Sequence, residues 1–118
     1  MNKKYIFRGK AKNTNKWFYG SLLEYNGYVI YDYELADWVP VDEHTIGQYT
    51  GVCDDRGNMI FEGDFVANRS ISNSDNEGYG LVRYHQGSYY VELSENNWLP
   101  LGIIHRYWSE VIIVDERS

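Results

Sequence analysis

The chain has 118 residues, 11 Lys and Arg against 17 Asp and Glu, 20 aromatics (12 Tyr, 4 Trp, 4 Phe) and a single cysteine. That length suits one domain with its own core, expected to span residues 1–118, and the aromatic-rich, proline-poor composition excludes a disordered or fibrous chain. Cys53 alone allows no intrachain disulfide, no apolar run nears the ~20 residues of a membrane-spanning helix, and none follows the basic "MNKKYIFRGK", so a soluble, cytoplasmic protein with no membrane partner is expected.

The weighting is toward β structure. Only three Ala are present, and β-branched and aromatic residues crowd the chain. In chain order, "KYIFRG" and "KWFYGSLL" pair across the polar loop "KAKNTN". "LLEYNGYVIYDY" follows, with Asn26-Gly27 as a strong hairpin signal. Counting out from that turn pairs Tyr25 with Tyr28 and Leu23 with Ile30, giving one wholly apolar or aromatic face. "IGQYTGV", Ile46 to Val52, reads as the next strand. "CDDRGN" supplies a turn in which Gly57 takes the left-handed conformation of a short bulged hairpin. "MIF" returns, "EGD" makes a tight corner at Gly63, with Asp64 bonding a neighbouring amide, and "FVAN" starts a further strand.

"NRSISNSDNEGYG", about residues 68–80, is read as a long mobile polar loop. "LVRYHQGSYYVEL" turns at Gln86-Gly87, which pairs Tyr84 with Tyr89, Val82 with Val91, Arg83 with Tyr90 and Leu81 with Glu92. "LGIIHRYW" is open between strand and short helix. "EVIIVDE" lacks polar gaps and reads as a central strand buried on both faces. The whole is an all-β chain of about eight to ten short antiparallel strands, a small sandwich or open pseudo-barrel.

Charge is unevenly placed. Residues 1–23 hold Lys3, Lys4, Arg8, Lys10, Lys12 and Lys16 and no acid; the remainder sets five basic groups against 17 acids, a balance of −12. With Trp17 and Tyr19, the six cations could form a contact for nucleic acid or for an acidic partner. The acidic remainder argues against a broad phosphate-binding surface.

Catalytic patterns are missing. Asp54, Asp55, Glu62 and Asp64 lie close in sequence, and their alternatives are a metal or hydrolytic carboxylate site or ordinary turn chemistry. Their spacing fits no calcium loop. His44, His85 and His105 share no zinc pattern, Cys53 reads as a small apolar residue, and no phosphate loop or nucleophile elbow occurs. No catalytic residue, metal site or cofactor is assigned. The leading expectation is a non-catalytic interaction module that binds another protein, or a further copy of itself as a homo-oligomer, through aromatic strands, with nucleic-acid binding as the alternative.

"TIGQYTGVCDDRGNMIFEGDFV", Thr45 to Val66, resembles the signature of the YopX family of phage and prophage proteins. So does the opening "YIFRGKAKNTNKWFYGSL", with its Arg-containing strand, polar turn and aromatic-Gly strand, and the later "VRYHQGSYYVEL" hairpin extends the likeness over most of the chain. The chain departs from the family where Glu110-Val111 continues as Ile112-Ile113-Val114. The resemblance implies an all-β fold with an SH3-like part around residues 46–93 and a bacterial-cell setting. It brings no activity, cofactor or catalytic set. Gly47, Gly51, Gly57, Gly63 and Asp64 match the signature and transfer as fold markers.

Overall fold

The computed structural model describes residues 6–69, 78–94 and 96–114. Lys3, Lys4 and most of the polar stretch expected as a mobile loop lie outside them. The fold is all-β, with antiparallel sheets. Among the described residues the strands are β1 (Phe7–Lys10), β2 (Trp17–Glu24), β3 (Tyr28–Asp32), β4 (Asp37–Val41), β5 (Gly47–Cys53), β6 (Met59–Phe61), β7 (Phe65–Asn68), β8 (Tyr79–His85), β9 (Ser88–Ser94), β10 (Asn97–Pro100) and β11 (Val111–Val114). The strands expected over residues 46–93 are present. Neither β4 nor β10 is among those read from sequence. Each holds a proline and lies at a sheet edge, where a missing N–H removes no ladder bond. No described helix is long and apolar enough to cross a membrane. The chain gathers into two compact units that divide after Tyr49, inside β5.

In the first unit the strand order is β4-β3-β2-β1, and β1 also pairs with the start of β5. The expected β1–β2 hairpin forms, with Arg8 opposite Tyr19 and Lys10 opposite Trp17. The sheet curls until an isolated bridge joins Ala11 to Val41 of β4. Ile30 and Val41 fill the inside of the curl and are fully buried. Gly9 lets them close in, since a Cβ there would sit 3.0 Å from Val41. A Cβ on Gly20 would sit 1.8 Å from the Tyr31 carbonyl oxygen, so β2 and β3 can approach only because that residue has no side chain.

The β2–β3 register differs from the expected one. Tyr25 joins Asn26 and Gly27 in the turn, donating its N–H to the Gly27 carbonyl at 2.9 Å. Ile30 therefore faces Leu22 and Val29 faces Leu23. A one-residue slip exchanges the faces of a strand. Leu22 shares the inner face with Ile30, and Leu23 is turned outward, 46% exposed.

In the second unit a five-stranded sheet runs β10-β9-β8-β7-β11 and does not close into a barrel. The Gln86-Gly87 turn produces the register its sequence requires, including Tyr84 opposite Tyr89 and Val82 opposite Val91. "LGIIHRYW" resolves as a 3-10 helix over Leu101–Arg106 followed by a buried Trp108. Leu101, Ile104, Trp108, Ile60, Val66, Val82, Val91 and Val111 form the core.

β11 corrects the sequence reading. It is an edge strand paired only with β7, and only Val111 of its four residues is fully buried. Its outer side is covered instead by the β5–β6 turn. Asp55 accepts the Val111 N–H, Asp54 accepts the Ile113 N–H at 3.2 Å, and the Asp55 N–H donates to the Val111 carbonyl at 2.9 Å. The apolar run thus reflects an edge capped by carboxylates rather than a strand flanked on both sides.

Candidate functional site

The four clustered carboxylates do not converge. Asp54, buried, accepts the Arg56 and Asn58 N–H groups at 3.0 and 2.8 Å as well as that of Ile113. Asp64, also buried, accepts the Phe61 N–H at 2.8 Å and returns its own N–H to the Phe61 carbonyl at 3.0 Å. The bond runs three residues back, across the corner, rather than to an adjacent amide. Glu62 lies close enough to Tyr89 for its charge to act on that phenol. Asp55 holds the β11 edge and approaches His105 Nδ1 at 3.8 Å. Backbone amides occupy Asp54, Asp55 and Asp64, which is the chemistry of turns. Among the described residues no three His, Cys, Asp or Glu side chains gather as a metal site would require.

Of the family-signature residues, Gly47 and Gly51 lie in β5, and Gly57, Gly63 and Asp64 lie in the turns that follow. Gly51, Gly57 and Gly63 all take positive φ. Gly47 stands opposite Arg8 in the β1–β5 ladder and is buried. Cys53 closes β5 exposed to solvent, where the sequence suggested a small packed residue.

The basic hairpin is not a uniform cationic surface. Arg8 is only 4% exposed and its guanidinium lies 4.3 Å from the Trp17 ring centroid. Lys10 Nζ lies over the same ring at 5.2 Å, and Lys16 Nζ over Phe18 at 5.8 Å. These cations already engage the aromatic faces that a nucleic-acid base would stack on. Lys12 and Lys16 are exposed, and Tyr19 is partly exposed on β2.

A second feature was not legible in the sequence. Leu23, Val29 and Pro40 form a cross-strand row over β2, β3 and β4, with Trp38 in the next row opposite Tyr31. Tyr31 and Trp38 meet edge to face at 5.1 Å between centroids. Tyr25 and Asn26 of the β2–β3 turn, with Lys12 of the β1–β2 turn and Tyr28, complete the lining of a groove of about 550 Å³. Leu23 and Trp38 are each 46% exposed and Tyr25 is 67% exposed. Leu23, Tyr25 and Trp38 thus form one exposed apolar group rather than scattered single side chains. Lys12 and Tyr28 also line an adjoining recess of about 240 Å³ with Gly27, Val41, Asp42, Glu43 and His44.

Electrostatics sharpen this end of the unit. The charge of Glu24 and its hydrogen bond to the Tyr28 phenol push that phenol's pKa upward, with Glu43 adding to the effect. Tyr28 therefore stays neutral and donates to Glu24. In the second unit burial raises the Tyr89 phenol, with the charges of Glu62 and Tyr84 contributing.

No curated protein and no solved structure matches the chain. The family model described as YopX protein matches residues 6–114, which is most of the chain and includes the signature turns, the basic hairpin and the groove-forming strands. The chain belongs to the YopX family.

Proposed function

We propose that this is a phage- or prophage-type protein that works inside a bacterial cell as a non-catalytic interaction module, holding a phage or host protein on the outer face of its first unit. The observation that carries this reading is the exposed apolar group of Leu23, Tyr25 and Trp38 beside the Val29–Pro40 row. Aromatic side chains in shallow, partly apolar grooves are the usual anchors of protein interfaces. Commitment of Asp54, Asp55 and Asp64 to backbone amides supports a non-catalytic role.

The experiment is capture of tagged protein from lysates of infected and uninfected host cells, with and without nuclease, beside a Trp38→Ser variant. A partner retained despite nuclease and lost with Trp38→Ser is the expected result. Recovery of nucleic acid, with proteins lost on nuclease treatment, would overturn the reading.

A nucleic-acid-binding module is the second reading, favoured by the exposed Lys12 and Lys16 beside Tyr19. It requires salt-sensitive binding that is lost on Lys12→Glu and Lys16→Glu. The stacked state of Trp17 counts against it.

A further inference from the structure

Two recesses meet at the hairpin end of the first unit and share Lys12 and Tyr28. The larger is apolar, and Lys12 is the single charged residue lining it. Its volume of about 550 Å³ lies within the roughly 300–1,000 Å³ usual for pockets that enclose a compact ligand or several side chains. The smaller is acidic, lined by Asp42 and Glu43. A third carboxylate, Glu24, bonds the shared Tyr28.

The groups gathered around the junction are one ammonium, Lys12, the imidazole of His44, and three carboxylates, Asp42, Glu43 and Glu24. Lys12 Nζ reaches to 3.9 Å from where a Gly27 side chain would begin. Among the described residues no ion pair engages Lys12. The formal charge of these groups is negative despite the basic composition of the surrounding hairpin.

We infer that the groove takes a peptide segment in which an apolar or aromatic anchor lies two residues from a Lys or Arg. The anchor rests on Leu23, Val29 and Pro40 against Trp38, and the cation enters the recess of Asp42 and Glu43. This inference rests on the interaction-module reading and adds the chemistry of the partner. An extended segment suits the pair of recesses because side chains two residues apart share a face and can enter both. The Asn26 amide at the groove wall offers a donor and an acceptor to a passing backbone. Lys12 lies between the recesses as a like charge to the incoming cation, so the sign of its effect is opposite to that of a phosphate- or carboxylate-binding lysine.

The test uses the purified full chain on an immobilised array of seven-residue peptides. Each peptide has Trp, Leu or Tyr at its centre and is flanked, two residues to either side, by Lys/Arg, by Asp/Glu or by Ser/Gln. Basic flanks should be preferred by roughly two- to fivefold, the ratio expected from one added exposed charge contact, and the preference should shrink in 1 M salt. Glu43→Gln should weaken binding of the basic set and Lys12→Gln should tighten it, each by several-fold. Trp38→Ser, and independently Leu23→Ser, should abolish it with the circular dichroism unchanged.

Equal or stronger binding of acidic or neutral peptides would overturn the inference. So would weakening by Lys12→Gln, failure of every peptide to bind, displacement of bound peptide by a single-stranded oligonucleotide, or self-association that Trp38→Ser removes. If any of these occurs while lysate capture still depends on Trp38, the interaction module stands and only the basic-apolar chemistry of its partner falls.

Discussion

Asp54 offers a direct test of how the second unit is held together. Asp54→Ala deletes the acceptor for the Arg56, Asn58 and Ile113 N–H groups. Arg56 and Asn58 are exposed, so their amides can turn to water. The Ile113 amide lies in a half-buried edge. Each buried donor left unmatched costs roughly 1–3 kcal/mol, and loss of the turn bonds adds about 1 kcal/mol. Asp54→Ala should therefore destabilise the unit by about 2–4 kcal/mol. Asp54→Asn keeps one acceptor oxygen for the turn but sets an amide donor against the Ile113 N–H or leaves that N–H unpaired. It should cost about half as much, in the strand alone.

The assay is urea unfolding followed by the fluorescence of Trp108, which is buried in this unit. With a slope of about 2 kcal/mol/M, the alanine variant should shift the midpoint by roughly 1–2 M. Amide exchange at Ile113 should accelerate in both variants, whereas exchange at Asn58 should accelerate only in Asp54→Ala. Unfolding of Asp54→Ala within about 0.5 kcal/mol of the parent, the range of ordinary surface substitutions, or unaltered Ile113 exchange, would refute the assignment of Asp54 to the β11 edge.

Gly20→Ala should prevent the first unit from folding, because the new methyl would meet the Tyr31 carbonyl rather than a movable side chain; a native-like NMR spectrum for this variant would contradict the close approach of β2 and β3. Gly57→Ala, at φ +85 with nothing within 4 Å, should cost only about 1 kcal/mol, measured by urea titration. Tyr28 and Tyr89 should ionise later than ordinary tyrosines in an ultraviolet titration, and Glu24→Gln should return Tyr28 alone toward the ordinary value. Because both folded phenols hold their protons more tightly than the unfolded chain, their contribution is complete below pH ~10 and is lost as pH rises through the raised values. Trp38→Ser should lower unfolding stability by only about 0.5–1.5 kcal/mol, the worth of its edge-to-face contact with Tyr31, as read by urea titration, while abolishing partner capture.

The Gln86-Gly87 hairpin was legible to the residue because both central positions take positive φ and fix a two-residue loop. Asn26-Gly27 carries the same local signal, yet Tyr25 entered the turn and shifted the register. That single step decides whether Leu22 or Leu23 faces solvent, so the groove could not be read from the alternation pattern. It is also assembled from three strands and two turns, which no sequence window contains. Asp32 escaped notice for a related reason. Its carboxylate accepts the Glu34 and Leu35 amides of the next turn and the Tyr19 amide of a neighbouring strand, a role that "YDYELAD" hints at only through a turn-favouring Asp. The family signature was visible because positive φ at Gly51, Gly57 and Gly63 restricts residue choice. The cation-stacked Trp17 was not, since composition places Arg8 and Lys10 near the indole without showing that they cover it.

The segment Val111–Val114 is short, β-branched and uncharged, the composition that nucleates stacked intermolecular sheets when its backbone is open to copies of itself. The two carboxylates of the β5–β6 turn occupy the amide positions at which such stacking would begin. Deleting them would do more than loosen a turn: it would offer the edge as a template. Resistance to edge-to-edge association is thus tied to two aspartates whose role inside the fold is to hold a strand.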